Sequence, residues 1–172
     1  YKRQIMGCGN PEGAQGHNVG RNAAVLSNLP ITTGGTTINR YCSSGMQSIS
    51  MAASQIMAGC YDTVIAGGAE TISMMQGKQN MDNFVNERLA EKSPGIYYPM
   101  GMTAEVVAKR YNVSREAQDE YAFESQMRTA AAQQAGAYDD EIIPMETKML
   151  LMNKETGDSK EIDYCVEKDE CN

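Results

Sequence analysis

Several features are missing from this 172-residue chain, and each absence closes off a class of function. No apolar run approaches the roughly 20 residues that a membrane span needs. No lysine and arginine cluster is visible and the net charge is −7, which argues against a nucleic-acid partner, because phosphate binding needs grouped cations. His17 is the single histidine and no C-x-x-C pair accompanies it, so the ligand spacing of a tetrahedral metal site is lacking. The stretch Gly9 to Gly16 is glycine-rich but has neither the G-x-x-x-x-G-K-[ST] order nor the following lysine of a phosphate loop, and reads as a connection. The five cysteines, Cys8, Cys42, Cys60, Cys165 and Cys171, are odd in number and not spaced as a disulfide framework. They suit a reducing compartment, with the cytoplasm as the default. The opening Tyr1-Lys2-Arg3-Gln4 carries no apolar signal region.

What is present is a soluble, globular composition with 41% hydrophobic residues and enough length for one core. Ile5 to Cys8 predicts a short strand. Asn18 is a candidate N-cap for a helix with Val19, Ala23 and Leu26 on one face. Gly34-Gly35 then turns the chain into a β-branched strand, Thr36-Thr37-Ile38, that leads to Cys42. A helix over Ser43 to Ala58 follows, with Met46, Ile49, Ala53, Ile56 and Met57 at helical spacing and no charge anywhere, which predicts burial nearly all round. Gly59 closes it, and Thr63 to Gly68 is a short uncharged strand of the kind found in the middle of a parallel sheet. Alternating strands and helices predict an α/β layered domain with helices on both faces.

From about Gly77 the sequence is polar and charged up to Ser93-Pro94-Gly95. Helices are predicted near Thr103–Tyr111 and from the N-cap Ser114 to about Ala135, closed by Gly136. Glu141 to Thr147 and Lys160 to Val166 predict a hairpin, with Pro144 at an edge or bulge. The last six residues are charged and read as exposed.

Cys42 carries the chemistry. It sits where a strand runs into a helix, and the first N–H groups of a helix are unpaired and partially positive. Cysteines so placed can ionise at pKa values of roughly 3.5–7.5 instead of about 8.5. The plainer reading, an inert core thiol, is open to any cysteine in an apolar chain. Cys8 and Cys60 have no base nearby in sequence and read as buried thiols.

Four blocks in order resemble the thiolases. They are Asn39-Arg40-Tyr41-Cys42-Ser43-Ser44-Gly45, then Gly67-Gly68-Ala69-Glu70-Thr71-Ile72-Ser73, then Met100-Gly101-Met102-Thr103-Ala104-Glu105, and the run Ser114 to Ala122. The resemblance implies a partial, thiolase-like layered α-β-α domain with a mainly helical loop-domain insertion. The core would occupy residues 1–76, incomplete at its N-terminus, the helical loop domain over the active site 77–138, and a returning strand or hairpin 139–172.

It further implies that Cys42 is the nucleophile that attacks the ketone carbon of a 3-ketoacyl thioester, releasing acetyl-CoA, before a second CoA thiol removes the shortened acyl group. Run backwards, the same steps condense two acyl-CoA molecules. The Cys42 N–H is a natural oxyanion donor, and Ser43 and Ser44 read as caps. Met100 would line the acyl pocket as a substrate-binding residue, although most of the thirteen methionines must be core filler. The acetoacetyl-specific branch commonly has a histidine where Pro99 stands, so the departure leans to broader 3-ketoacyl-CoA substrates. Coenzyme A enters as substrate, with no cofactor implied, and the family assembles as homodimers or homotetramers.

The family also takes a histidine from a Gly-His-Pro motif and a second cysteine beside a Gly-rich turn, both from its C-terminal half. This chain has neither. The C-terminal thiolase domain is therefore expected to be absent, leaving hydrophobic surface uncovered and no turnover by the chain alone. A non-catalytic thiolase-like protein that binds acyl-CoA or lipid is the alternative class. A ketoacyl synthase acting on carrier proteins fits the third and fourth blocks less well.

Overall fold

The computed structural model describes residues 3–170, so Cys171 lies outside the described residues. The chain divides into two compact units, Tyr1–Asn86 and Glu87–Asn172.

The first unit is built on a parallel sheet of three strands, β1 (Arg3–Gly7), β2 (Gly34–Ile38) and β3 (Val64–Gly68), in the order β2-β1-β3. Ile5 pairs with Thr36 on one side and Ala66 on the other. β1 is thus the central strand, and its Gln4, Ile5 and Gly7 are buried. β3, expected in the middle, is an edge among the described residues, with its residues half-buried or exposed. Short uncharged sequence is compatible with either place; which strand lies between the others is decided by the crossover connections.

Helix α1 (Val19–Leu26) connects β1 to β2, and α2 (Ser44–Met57) connects β2 to β3. Consecutive strand residues point to opposite faces. A side chain added at Gly20 of α1 would meet Met6 and the carbonyl of Thr36, whereas one added at Gly7 would overlap the main chain of Ser44 and Gly45 in α2. The helices therefore cover opposite faces of the sheet, giving the α-β-α layering. Asn18 caps α1 as expected, its Oδ1 accepting the Arg21 N–H at 3.2 Å.

The expected all-round burial of α2 is not what the structure has. Only Ser44, Ser48 and Ala52, one turn apart, are buried. Met46 is 77% exposed and Met57 88%, and Ile49 and Ile56 are also turned out. The reason lies in the seat. With glycine at position 7 the helix backbone lies directly on β1, so only small side chains fit between them. Ser48 fits because its hydroxyl reaches both the Gly45 carbonyl at 2.7 Å and the Gly67 carbonyl at 2.8 Å. The short helix α3 (Ile72–Met75) follows β3, and its Met75 is buried.

In the second unit, α4 (Glu87–Lys92), α5 (Met100–Tyr111) and α6 (Arg115–Gln134) make residues 87–134 mainly helical. Ser114 caps α6 through its Oγ, which accepts the Ala117 N–H at 3.2 Å, and Gly136 beyond its end has φ +69°. The antiparallel hairpin joins β4 (Met145–Met152) to β5 (Ser159–Val166). β4 starts later than expected, just after Pro144, because proline has no N–H to give a ladder. No described helix is long and apolar enough to cross a membrane.

Candidate active site

All three parallel strands end at one cleft of about 380 Å³. Gly7, Gly9 and Asn10 line it from the exit of β1, Tyr41, Cys42, Ser44 and Gly45 from that of β2, and Gly68 to Glu70 with Ile72 from that of β3. Crevices beyond the carboxyl ends of parallel strands, where successive connections leave to opposite faces, are where layered α/β folds bind ligands.

Cys42 is exposed in this cleft. It does not follow the strand directly as the sequence suggested, but lies in a 3-10 turn, Tyr41–Ser43, that leads into α2. The turn is unusual at Tyr41, whose φ of +47° falls in the left-handed region that bulky residues rarely enter. Asn39 supports it, its Oδ1 accepting the Tyr41 N–H at 2.8 Å. No described residue accepts the Cys42 N–H.

Opposite stands Glu70, whose importance the sequence marked only as the fourth residue of a motif. Its Oε1 accepts the Gln15 Nε2 at 2.7 Å and its Oε2 the Gly9 N–H at 2.5 Å. Gln15, 4% exposed, also bonds the Asn10 carbonyl at 2.9 Å and, through Oε1, the Thr71 N–H at 2.6 Å. Partial burial pushes the Glu70 carboxyl up, but bonds from Gln15, the Gly9 and Asn10 N–H groups and the Cys8 thiol outweigh it and hold the group below its ordinary value. Burial raises the Cys8 thiol; a backbone bond from Asn10 offsets part of this and the Glu70 charge adds to it. Gly9 to Gly16, read from sequence as a mere connection, is thus tied to the exit of β3. The available signal was that Glu70 is the single charge between Thr63 and Gly77.

The family model of the thiolase N-terminal domain matches residues 2–168. The chain belongs to the thiolase family. A 3-ketoacyl-CoA thiolase of Bacillus subtilis is 51% identical over 153 residues, covering 88% of this chain and 38% of that protein. An acetyl-CoA acetyltransferase of Chromobacterium violaceum is 41% identical, covering 76% and 36%, and the peroxisomal 3-ketoacyl-CoA thiolase 2 of Arabidopsis thaliana is 38% identical, covering 95% and 35%. This thiolase chain thus spans somewhat over a third of the length of the curated relatives it matches.

The remaining cysteines of this thiolase chain divide. Cys8 is buried as expected, whereas Cys60 is exposed, just past the end of α2 where the chain turns back to the sheet. Met100 opens α5 in the second unit and is exposed. His17 lies in the loop before α1 with φ +52°.

Proposed function

We propose that Cys42 is the acyl-accepting nucleophile of a thiolase that cleaves 3-ketoacyl-CoA, or forms it in reverse. The observation that carries this reading is an exposed thiol in a cleft at three strand ends, at the start of a helix, beside its own unclaimed N–H. In the forward direction the Cys42 sulfur adds to the 3-keto carbon, forming the C–S bond and placing an electron pair on oxygen. Collapse of that oxyanion breaks the C2–C3 bond, and its pair leaves with acetyl-CoA as the enolate, which takes up a proton. CoA thiolate then adds to the acyl-sulfur carbon, and Cys42 departs as thiolate.

The acid and base for these proton transfers come, in this reading, from parts of the whole protein outside this chain. Met100 contributes to the acyl pocket, and Pro99 favours chains longer than acetoacetyl. A homodimer or homotetramer is proposed as the working form, supported by the apolar stripe that α2 turns outward. The free thiols of Cys8, Cys42, Cys60 and Cys165 support a cytoplasmic setting.

The test is mass mapping after incubation with 3-ketoacyl-CoA. An acyl adduct on the peptide containing Cys42 is expected. Acylation confined to another cysteine would overturn the assignment.

A further inference from the structure

Ser44 is 3% exposed at the first position of α2, and its hydroxyl does not cap that helix. It reaches back instead. Its Oγ accepts the Arg40 N–H at 2.8 Å and donates to the Tyr41 carbonyl at 2.6 Å. The Ser44 N–H ends on the same carbonyl. The Tyr41 oxygen is therefore held by two donors from one residue, and that residue cannot withdraw, because its main chain is packed on Gly7 with no room for even a methyl group between.

A trans peptide is planar, with its C=O and N–H pointing in opposite directions. Fixing the Tyr41 carbonyl toward α2 thus fixes the N–H of the same peptide, that of Cys42, away from α2. The backbone does not favour this arrangement unaided, since Tyr41 has a positive φ. Two side chains hold it: Ser44 on the carbonyl and Asn39 on the Tyr41 N–H at 2.8 Å.

We infer that Ser44 is a positioning residue for acyl transfer, whose buried hydroxyl aims the Cys42 N–H at the oxygen that becomes negative when sulfur adds to a carbonyl carbon. This rests on the acyl-cysteine reading and deepens it. Ser48, one turn further on and equally buried, ties α2 to the Gly67 carbonyl and has no part in the 41–42 peptide.

Two reagents separate positioning from mere support. With p-nitrophenyl acetate, the Cys42 thiolate adds to the ester carbon, the pair moves to oxygen, and p-nitrophenolate leaves with the electrons of the broken C–O bond. With iodoacetamide, a C–S bond forms as iodide leaves with its pair, and no oxyanion exists. Both rates are measured on the whole protein that carries this segment, as the parent and as Ser44→Ala, Asn39→Ala and Ser48→Ala, with the modified peptide identified by mass.

Ser44→Ala should slow acetylation of Cys42 about ten-fold or more while alkylation stays within about two-fold. The exposed Asn39→Ala should show the same selectivity to a smaller degree, and Ser48→Ala should leave the ratio of the two rates unchanged. Hydrogen exchange at the Arg40 amide should quicken in Ser44→Ala while the amides of α2 keep their protection. Equal losses in both reactions for Ser44→Ala and Asn39→Ala, or no loss in either, would overturn the proposal. A whole parent protein alkylated at Cys42 but never acetylated there would overturn the acyl-cysteine reading itself, and the proposal with it.

Discussion

In the unit Tyr1–Asn86 the buried residues mix apolar Ile5, Cys8, Ala24, Ala52 and Met75 with polar Gln4, Gln15, Thr33, Ser44 and Ser48, whereas Glu87–Asn172 buries no side chain among its described residues. Apart from the Gln133 Nε2 on the Asp169 carbonyl at 3.0 Å, the contacts described in the second unit are local ones: the Ser114 cap, the pair Lys148 with Glu161 and Asp163 across the hairpin, and the turn closed by Asn153 N–H on the Asp158 carbonyl. Such bonds define elements one at a time. The polar contacts of the first unit instead join segments distant in sequence, as Gln15 does with Glu70 and Thr71, and a buried hydrogen bond tolerates few alternative geometries. The difference teaches where fixed chemistry can be held. The cleft with Cys42 belongs to the unit whose interior is partly polar.

The largest expected effect sharpens this contrast directly. In a complete enzyme carrying this segment, Cys42→Ser should lower kcat on the order of a thousand-fold or more, whereas Met100→Ala should cost about ten-fold in kcat/KM for a long acyl substrate. Thiolysis kinetics on both variants test it; a larger loss from Met100→Ala would break the comparison. With Pro99 in place of histidine, substrates longer than acetoacetyl-CoA should be turned over.

Glycine replacement comes next. Gly7→Ala forces a methyl group into the main chain of Ser44 and Gly45, and should destabilise the first unit by about 3 kcal/mol or more. Gly101→Ala in α5 meets nothing within 4 Å and should be neutral or stabilising by up to about 0.5 kcal/mol. Urea unfolding followed by amide exchange in each unit distinguishes them.

Ser114→Ala should cost the α6 cap about 1 kcal/mol. Exchange of the first amides of α6 would quicken while alkylation of Cys42 stays unchanged.

The smallest effect is on pH dependence. Because the folded state holds the Glu70 carboxyl below its ordinary value, its contribution is complete above the unfolded pKa of about 4.3 and is lost as pH falls through the folded value. Cys8 acts at the other end: its raised thiol favours the folded state until pH passes about 8.5, above which the unfolded chain ionises first and stability falls. Urea midpoints against pH should therefore decline at both ends. Glu70→Gln should flatten the acid limb and, by removing the charge that helps raise the Cys8 thiol, soften the alkaline one.

What was legible in the sequence follows the same division. Asn18 and Ser114 announced their helices because a cap is chemistry between neighbours, and both accept an N–H three residues on. Cys42 was legible as a strand-to-helix residue for the same reason. The outward turn of Met46, Ile49, Ile56 and Met57 was not, since periodicity marks a stripe without saying which face meets the sheet. Nor were the positive φ at Tyr41 and the bond between Glu70 and Gln15, which depend on segments brought together by folding.

Gly7 and Gly20 let each helix rest main chain on main chain, with no intervening side chain large enough to change rotamer. At those two places the spacing between helix and sheet is set by backbone atoms alone. Gly7, Ser44 and Gly45 all line the Cys42 cleft, so the start of α2 and the cleft wall are one close-packed contact, and displacing either displaces the other.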